Sequence, residues 1–239
     1  TNGGLNGLQR LNLDGSLDTS FVPPVLNSEG YLFSNIVIDA AGRILIGGAF
    51  STVGGQPRPG IARLLANGTL DPAFVPNGMS NFTGAGPVRG IGIQTSGANA
   101  GKVVVAGTLL SDSGNVRRSM FRFNADGSLD STFTLLTRAT AFNSPRMLSI
   151  LPDDRILVVS DTGLTTFNAN GTVDTAYSQS TFSSAATFWL DALSDGRAYI
   201  PFASGATING NAIAQQITRF YSDGTVDPTF APGTFQREI

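Results

Sequence analysis

The sequence predicts an all-β fold, a β-propeller-like array of four-stranded antiparallel units. The phrase Arg-x-x-x-Asp-Gly-Ser-Leu-Asp-x-x-Phe at 10–21 returns four more times, and its final aromatic residue then falls at Phe74, Phe133, Tyr177 and Phe230. Short runs rich in β-branched residues alternate with turn residues, which is typical of strands. No stretch combines a 3.6-residue apolar period with helix caps, so we expect almost no helix.

The phrase divides the chain into units, and we number its copies one to five. An internal repeat indicates a fold built from one supersecondary unit, and propellers protect sheet edges by radial repetition of such units. Each unit is predicted to hold two hairpins, the second of which contains the phrase. The single repeat domain, 1–239, then comprises four full units at about 22–74, 75–133, 134–177 and 178–230, a partial unit at 1–21 and a tail at 231–239.

Each copy carries Asp-Gly or Asn-Gly at its turn, a strong hairpin signal that predicts a type I′ turn with positive φ at both central residues. The partial unit supplies only a second hairpin, so the first hairpin of one blade is missing. An open sheet edge needs a cover. We expect neighbouring repeat units or other copies of the chain to provide it, rather than the short tail alone.

An arginine before the turn and an aspartate after it recur at fixed spacing. The interpretation favoured by the residues is an ion pair across the hairpin, which fixes register more than it adds net stability. The structural repeat positions are Arg10, Asp18, Arg63, Asp71, Arg122, Asp130, Asp174, Arg219 and Asp227.

A calcium site is the alternative for the same residues, because Asn12-x-Asp14-Gly15-x-x-Asp18 is similar to oxygen-rich calcium loops. Such loops need an acid at the first position, where four of the copies have arginine. We therefore expect no metal and no other cofactor, although copy four, with Thr166 in place of the arginine, leaves the question open.

Composition excludes several classes of function. The chain has no cysteine and no histidine, so disulfides, thiolate chemistry and a Ser-His-Asp triad are impossible. A formal net charge of −2 gives no electrostatic footprint for nucleic acid. No apolar run reaches the roughly 18–20 residues of a membrane helix, so we expect no membrane insertion.

A family resemblance follows from Ile-Ala-Arg-Leu at 61–64, Asn-Gly-Thr-Leu-Asp-Pro-Ala-Phe at 67–74 and Arg-Ile-Leu-Ile-Gly-Gly-Ala-Phe at 43–50. This combination resembles the delta-60 repeat family of bacterial β-propeller-like domains. The resemblance implies the propeller-like fold and occurrence in large bacterial secreted or surface proteins. It implies no catalytic residues.

The function we expect is non-catalytic: an extracellular or bacterial cell-surface module that acts as a scaffold or recognition surface, with adhesion as its role and a glycan or protein as its ligand. One alternative is a glycan-binding propeller that uses the loop aromatics Phe82, Phe142 and Phe182. The single tryptophan, Trp189, has a ring on which a sugar can stack, but it lies in an apolar stretch and is expected in the core.

The other alternative is a metal-independent glycosidase, because such enzymes need two carboxyl groups that flank a cleft. An active site is normally asymmetric, so only acids outside the repeating turns are candidates. These are Glu29, Asp112, Asp161, Asp191 and Glu238.

Overall fold

A computed structural model describes residues 8–28, 35–77, 88–110, 117–134, 144–183, 189–213 and 216–232. This part of the chain contains eighteen short strands, one 3-10 turn at Gly97–Asn99 and no α-helix, and none of its helical structure is long and apolar enough to cross a membrane. The strands are β1 Leu26–Ser28, β2 Asn35–Ile38, β3 Ile44–Gly47, β4 Phe50–Val53, β5 Gln56–Pro57, β6 Ile61–Leu64, β7 Val88–Ile93, β8 Val103–Leu110, β9 Arg117–Phe123, β10 Pro145–Ile150, β11 Ile156–Ser160, β12 Gly163–Phe167, β13 Ser180–Thr181, β14 Asp191–Ala192, β15 Ala198–Pro201, β16 Thr207–Ile208, β17 Asn211–Ala212 and β18 Ile217–Phe220.

Each full unit contains one main antiparallel sheet, and the units 22–74 and 178–230 also contain the smaller sheets β1-β4-β5 and β16-β17. This architecture confirms the predicted all-β propeller-like array. The main sheets have the strand orders β2-β3-β6, β7-β8-β9, β10-β11-β12-β13 and β14-β15-β18. In each unit the segment after the turn contributes a single bridge, such as Leu64 to Leu70, where the sequence predicted a full strand. β13 pairs with β12, so a segment assigned to the unit 178–230 joins the sheet of the unit before it.

The hydrophobic core lies between the units. The middle strands β3 and β11 are buried along their whole length, because neighbouring sheets cover both faces. One cluster joins Leu45 and Phe74 of one unit to Val105 and Phe121 of the next. A Cβ on Gly90 of β7 would lie 2.7 Å from the Leu148 nitrogen of β10, so the inner strands of adjacent units are in close contact.

The predicted type I′ turn is wrong. Gly15 has a φ of 83°, but Asp14 is not among the non-glycine residues with positive φ in the described chain. The Gly15 amide donates to the Asn12 carbonyl at 2.9 Å, and the Asn12 amide donates to the Ser16 carbonyl at 2.8 Å. This pattern fits a type I turn followed by a left-handed glycine in a bulge.

The side chain of Asp14 explains why the turn takes this form. Its Oδ1 accepts hydrogen bonds from the Ser16 amide at 2.9 Å and from the Ser16 hydroxyl at 2.6 Å. The side chain thereby replaces a backbone acceptor, which is the way Asp and Asn stabilise turns without positive φ of their own. The same hydrogen bonds require Ser or Thr after the glycine, as all five copies have.

Candidate functional site

The repeating arginine and aspartate meet across the hairpin in four copies. The Nε–Oδ2 distance is 2.8 Å for Arg10–Asp18, 2.7 Å for Arg63–Asp71, 2.7 Å for Arg122–Asp130 and 2.6 Å for Arg219–Asp227. In copy two both side chains are buried, with 4% and 5% of their surface exposed, whereas in copy one the figures are 39% and 18%.

The arginine also makes two further contacts, which Arg63 illustrates. Its guanidinium carbon lies 4.8 Å from the centroid of the Phe74 ring, a cation–π geometry. Its Nη1 donates to the Ala125 carbonyl, in the turn of copy three, at 2.7 Å. One side chain therefore holds its own hairpin, its own aromatic residue and the turn of the next unit.

The aspartates of these pairs stay ionised. Burial raises the pKa of Asp130, but hydrogen bonds from Lys102 and Thr132 and the charge of Arg122 more than offset it, so its pKa lies well below the usual range. In the turn, the oxygens that the calcium interpretation requires already accept protein hydrogen bonds: Asp14 Oδ1 from Ser16, and Asp18 Oδ1 from the Ser20 amide at 2.9 Å. No group of three or more acidic side chains that fits a metal occurs in the described ranges.

A second row of cations was missed by the sequence reasoning. One basic residue stands directly before the second strand of each unit, at Arg43, Lys102, Arg155 and Arg197. Lys102 Nζ lies 2.8 Å from Asp130, and Arg155 Nη1 lies 3.0 Å from Asp174. In copy four, Arg155 thus supplies the cation that Thr166 cannot. The sequence signal for this row was the recurrence of a basic residue directly before the second strand of each main sheet.

Copy four also differs at its aromatic residue. The copy without the arginine is the one with tyrosine, and the hydroxyls of Thr166 and Tyr177 are both buried without a hydrogen bond of normal geometry in the described structure. Burial raises the pKa of Tyr177 to about 12. The Thr166 side chain acts in the opposite direction and lowers this pKa, so the two hydroxyls lie close together in the place that the arginine occupies in the other copies.

The proposed ligand-contact aromatics are placed as follows. Phe82 and Phe142 lie outside the described residues. Phe182 is a core residue, 9% exposed, and its ring packs edge-on against Phe202 at 4.8 Å, so it is not available for surface stacking. Trp189, expected in the core, is instead 62% exposed.

A non-repeating basic cluster lies where β7 and β10 begin. Arg146 Nε donates to Asp161 Oδ1 from the segment after β11. Burial lowers the pKa of Arg89, as does the charge of Arg146, while Asp161 acts in the opposite direction. Arg89 Nε is buried and has no hydrogen-bond acceptor among the described residues. The three side chains carry one net positive charge.

The cluster and Trp189 share one face of the array. β7, β10 and β14 are the first strands of their sheets, and equivalent strands in a repeat array run in the same direction. Arg89 and Arg146 are the second residues of β7 and β10, and Trp189 lies two residues before β14 begins. We call this face the entry face. Between β2, β7 and β10 lies a mainly apolar cavity of about 400 Å³, lined by Ile36, Ile91 and Leu148 among others.

The candidate catalytic acids are only partly described. Glu29, Asp112 and Glu238 lie outside the described residues. Asp161 is bound to Arg146, and Asp191 is an exposed residue of β14 that lies opposite Tyr199 of β15.

Comparison with a family model gives three matching segments, at residues 2–21, 42–74 and 101–133, to a domain of unknown function (DUF5122) β-propeller. These segments contain copies one to three. The match supports a β-propeller repeat under that description and not under the name delta-60. No curated protein matches the chain.

Solved structures agree on the fold. A streptogramin B lyase structure superposes with a TM-score of 0.51 at 13% identity, covering 91% of this chain and 59% of the other. The Pan2 WD40 domain of Neurospora crassa gives 0.49 at 12% identity (82% and 50% covered), and the gluconolactonase XC5397 of Xanthomonas campestris gives 0.47 at 15% (82% and 62%). This chain thus spans between half and about three fifths of those chains. The streptogramin B lyase structure, at 13% identity, indicates a shared fold alone.

Proposed function

We propose that this chain is a non-catalytic recognition module of a larger bacterial surface or secreted protein, that it serves adhesion, and that its entry face binds an acidic glycan. The observation that carries the proposal is the buried Nε of Arg89, which lacks an acceptor in the described structure and lies beside a second arginine. Buried donors are normally satisfied, so a missing acceptor favours an anionic group from a ligand at this position.

The repeating charges support a scaffold role for the rest of the molecule. Arg63, Arg122 and their aspartates are buried in contacts that hold the hairpins and join the units. Residues used in this way are the same from unit to unit and cannot single out one ligand. Recognition then falls to side chains that occur once, such as Arg89 and Trp189, displayed on a rigid array.

The chemistry of the entry face fits a sugar that carries a carboxylate. Guanidinium groups bind carboxylates through paired, charge-assisted hydrogen bonds. An exposed indole such as that of Trp189 offers an apolar face on which a sugar ring packs. Because Asp161 already engages Arg146, we assign Arg89 to the carboxylate and Arg146 to the positioning of the pair.

A glycan array that contains uronic-acid, sialylated and neutral oligosaccharides tests the proposal. We expect binding to the acidic glycans alone, and at least tenfold weaker binding for Arg89→Ala and for Trp189→Ala. Arg197→Ala is the matched control, because Arg197 is a partly exposed arginine that already pairs with Asp195. It lies directly before β15, at the end of the sheet opposite to Trp189.

Two outcomes of the glycan array would contradict different parts of the proposal. Binding of neutral glycans that survives Arg89→Ala would contradict the acidic-glycan assignment. Hydrolysis of any array glycan would contradict the non-catalytic assignment and return attention to the acids outside the repeat. The proposed surface location is tested by protease accessibility of the protein on intact cells.

A further inference from the structure

Successive copies of the phrase are joined by one interface that recurs through the chain. The residue after each aromatic donates its amide to the carbonyl of the Asp or Asn in the next turn. The pairs are Val22 to Asn67 at 3.0 Å, Val75 to Asp126 at 2.8 Å, Thr134 to Asn170 at 2.8 Å and Ser178 to Asp223 at 2.8 Å.

The arginine and the turn glycine complete this interface. Arg10, Arg63 and Arg122 donate Nη1 to the alanine carbonyls at 66, 125 and 169 in the next turn. The segment at the aromatic residue of each copy covers the turn glycine of the next copy. A Cβ on Gly171 would lie 2.8 Å from the Phe133 ring, and a Cβ on Gly224 would lie 2.3 Å from the Tyr177 ring, so both glycines are buried. The interface therefore has two halves. The donor edge consists of the arginine and the aromatic residue of one copy together with the amide that follows the aromatic, and the acceptor turn is the turn of the next copy.

Copy one has an acceptor turn that the described chain does not fill. Gly15 is exposed, and no described atom lies within 4 Å of the position of its missing Cβ. The neighbouring Leu13 is fully exposed as well. The four later turn glycines, at 68, 127, 171 and 224, are all buried.

Copy five has the complementary donor edge, at Arg219, Phe230 and Ala231. Phe230 is only half-buried, whereas the aromatic residues of the other four copies are 7% exposed or less. Its ring contacts Tyr199 at 5.3 Å and Arg219 at 4.9 Å, within its own unit. A cavity of about 200 Å³ borders Arg219, Asp227 and Phe230.

We propose that the acceptor turn at 13–15 is a docking site for the donor edge of a second copy of this chain, so that copies associate head to tail. The chain itself supplies the argument, since the amide contact recurs four times between its own repeats and the arginine contact recurs three times. Each molecule of this chain carries both complementary halves, the acceptor turn in copy one of the phrase and the donor edge in copy five. In the structure, these two halves do not contact each other. This association is independent of glycan binding, because the entry face takes no part in it.

Head-to-tail contacts are heterologous, so they extend until a rotation closes a ring. The acceptor side offers one hairpin, and small interfaces bind weakly. Analytical ultracentrifugation should therefore sample concentrations up to about 1 mM. We expect a concentration-dependent series of dimer and larger species for the unmodified chain.

Two single variants each remove one half of the site. Gly15→Asn fills the acceptor turn while keeping its backbone, since Asn tolerates positive φ. Phe230→Asp removes the aromatic residue of the donor edge. Gly97→Asn is the control, because Gly97 also has positive φ and open space around it but lies outside any turn of the phrase. We expect association at least tenfold weaker for Gly15→Asn and for Phe230→Asp. Gly97→Asn should associate as strongly as the unmodified chain.

Mixing the two variants keeps the test decisive. Gly15→Asn retains its donor edge and Phe230→Asp retains its acceptor turn, so the mixture should form a 1:1 dimer that cannot extend, detected by native mass spectrometry. Three results overturn the proposal: an unmodified chain that stays monomeric throughout, a Gly15→Asn variant that associates like the unmodified chain, or a mixture that yields no heterodimer.

Discussion

The turn glycine of copy three allows the contact between units to be measured against a matched turn. Gly127 and Gly15 have nearly the same φ, 88° and 83°. Replacing either by alanine places a side chain at positive φ, which costs about 1–2 kcal/mol, and reduces the freedom of the unfolded chain, which returns about 0.4–1 kcal/mol. These two effects cancel when the variants are compared.

The difference that remains comes from the segment that directly follows the preceding copy of the phrase. A Cβ on Gly127 would lie 2.6 Å from the Val75 carbonyl carbon and 2.7 Å from its nitrogen, whereas nothing lies within 4 Å at Gly15. Backbone atoms cannot rotate away as the end of a side chain can, and overpacking of this kind costs about 1–3 kcal/mol. Gly127→Ala should therefore lower the free energy of unfolding by about 1–3 kcal/mol more than Gly15→Ala.

Urea denaturation of the two variants at low protein concentration measures this difference as a shift in midpoint at constant slope. The dilute condition keeps association through Gly15 from contributing. Equal losses for Gly127→Ala and Gly15→Ala would refute the reasoning, because they would mean that the unit boundary beside Val75 is loose.

Two further predictions concern the buried polar groups. Asp71→Ala leaves the buried Arg63 without its partner and should cost about 3–5 kcal/mol, whereas Asp18→Ala, in the more exposed pair, should cost clearly less because solvent screens that pair; similar losses in urea denaturation would count against the role of burial. The raised pKa of Tyr177, about 12, means that the folded state disfavours its ionisation. The contribution of the neutral hydroxyl to stability is therefore fully present below about pH 10, and it is lost as the pH rises from there toward 12. Tyr177→Phe should remove that part of the fall, and a pH profile of melting temperature identical to that of the unmodified chain would contradict the assignment.

The sequence predicted those features that depend on repetition. Five copies of one phrase fix the number and type of units, and the separation of Arg63 from Asp71 by one turn places them opposite each other. The type of turn was not predictable, because Asp-Gly suits both a two-residue loop and a type I turn with a bulge; the hydrogen bonds of Asp14 to Ser16 decide between them.

Features that depend on contacts between strands or units escaped the sequence analysis. Arg155, directly before β11, reaches Asp174 from outside the phrase, so the exchange with Thr166 has no signature within the phrase. Apolar neighbours did not reveal which way Trp189 faces. Arg89 and Arg146 come from different units, and only the packing of β7 against β10 brings them together.

The central claim is that the arginine of copies one to three joins each of them to the next copy, and Arg63→Lys compared with Arg219→Lys tests it most directly. Lysine keeps the charge opposite the aspartate but lacks the second nitrogen that reaches a neighbouring carbonyl and the planar group that stacks on the ring. Both variants lose the stacking, and Arg219→Lys also loses contacts to Asp227 and Tyr199, which lie in its own unit. Only Arg63→Lys loses a hydrogen bond to another copy, the 2.7 Å bond to the Ala125 carbonyl. Chemical denaturation should show Arg63→Lys less stable than Arg219→Lys by about 1.5–3 kcal/mol. Equal stabilities would contradict the claim and confine the arginine to its own hairpin.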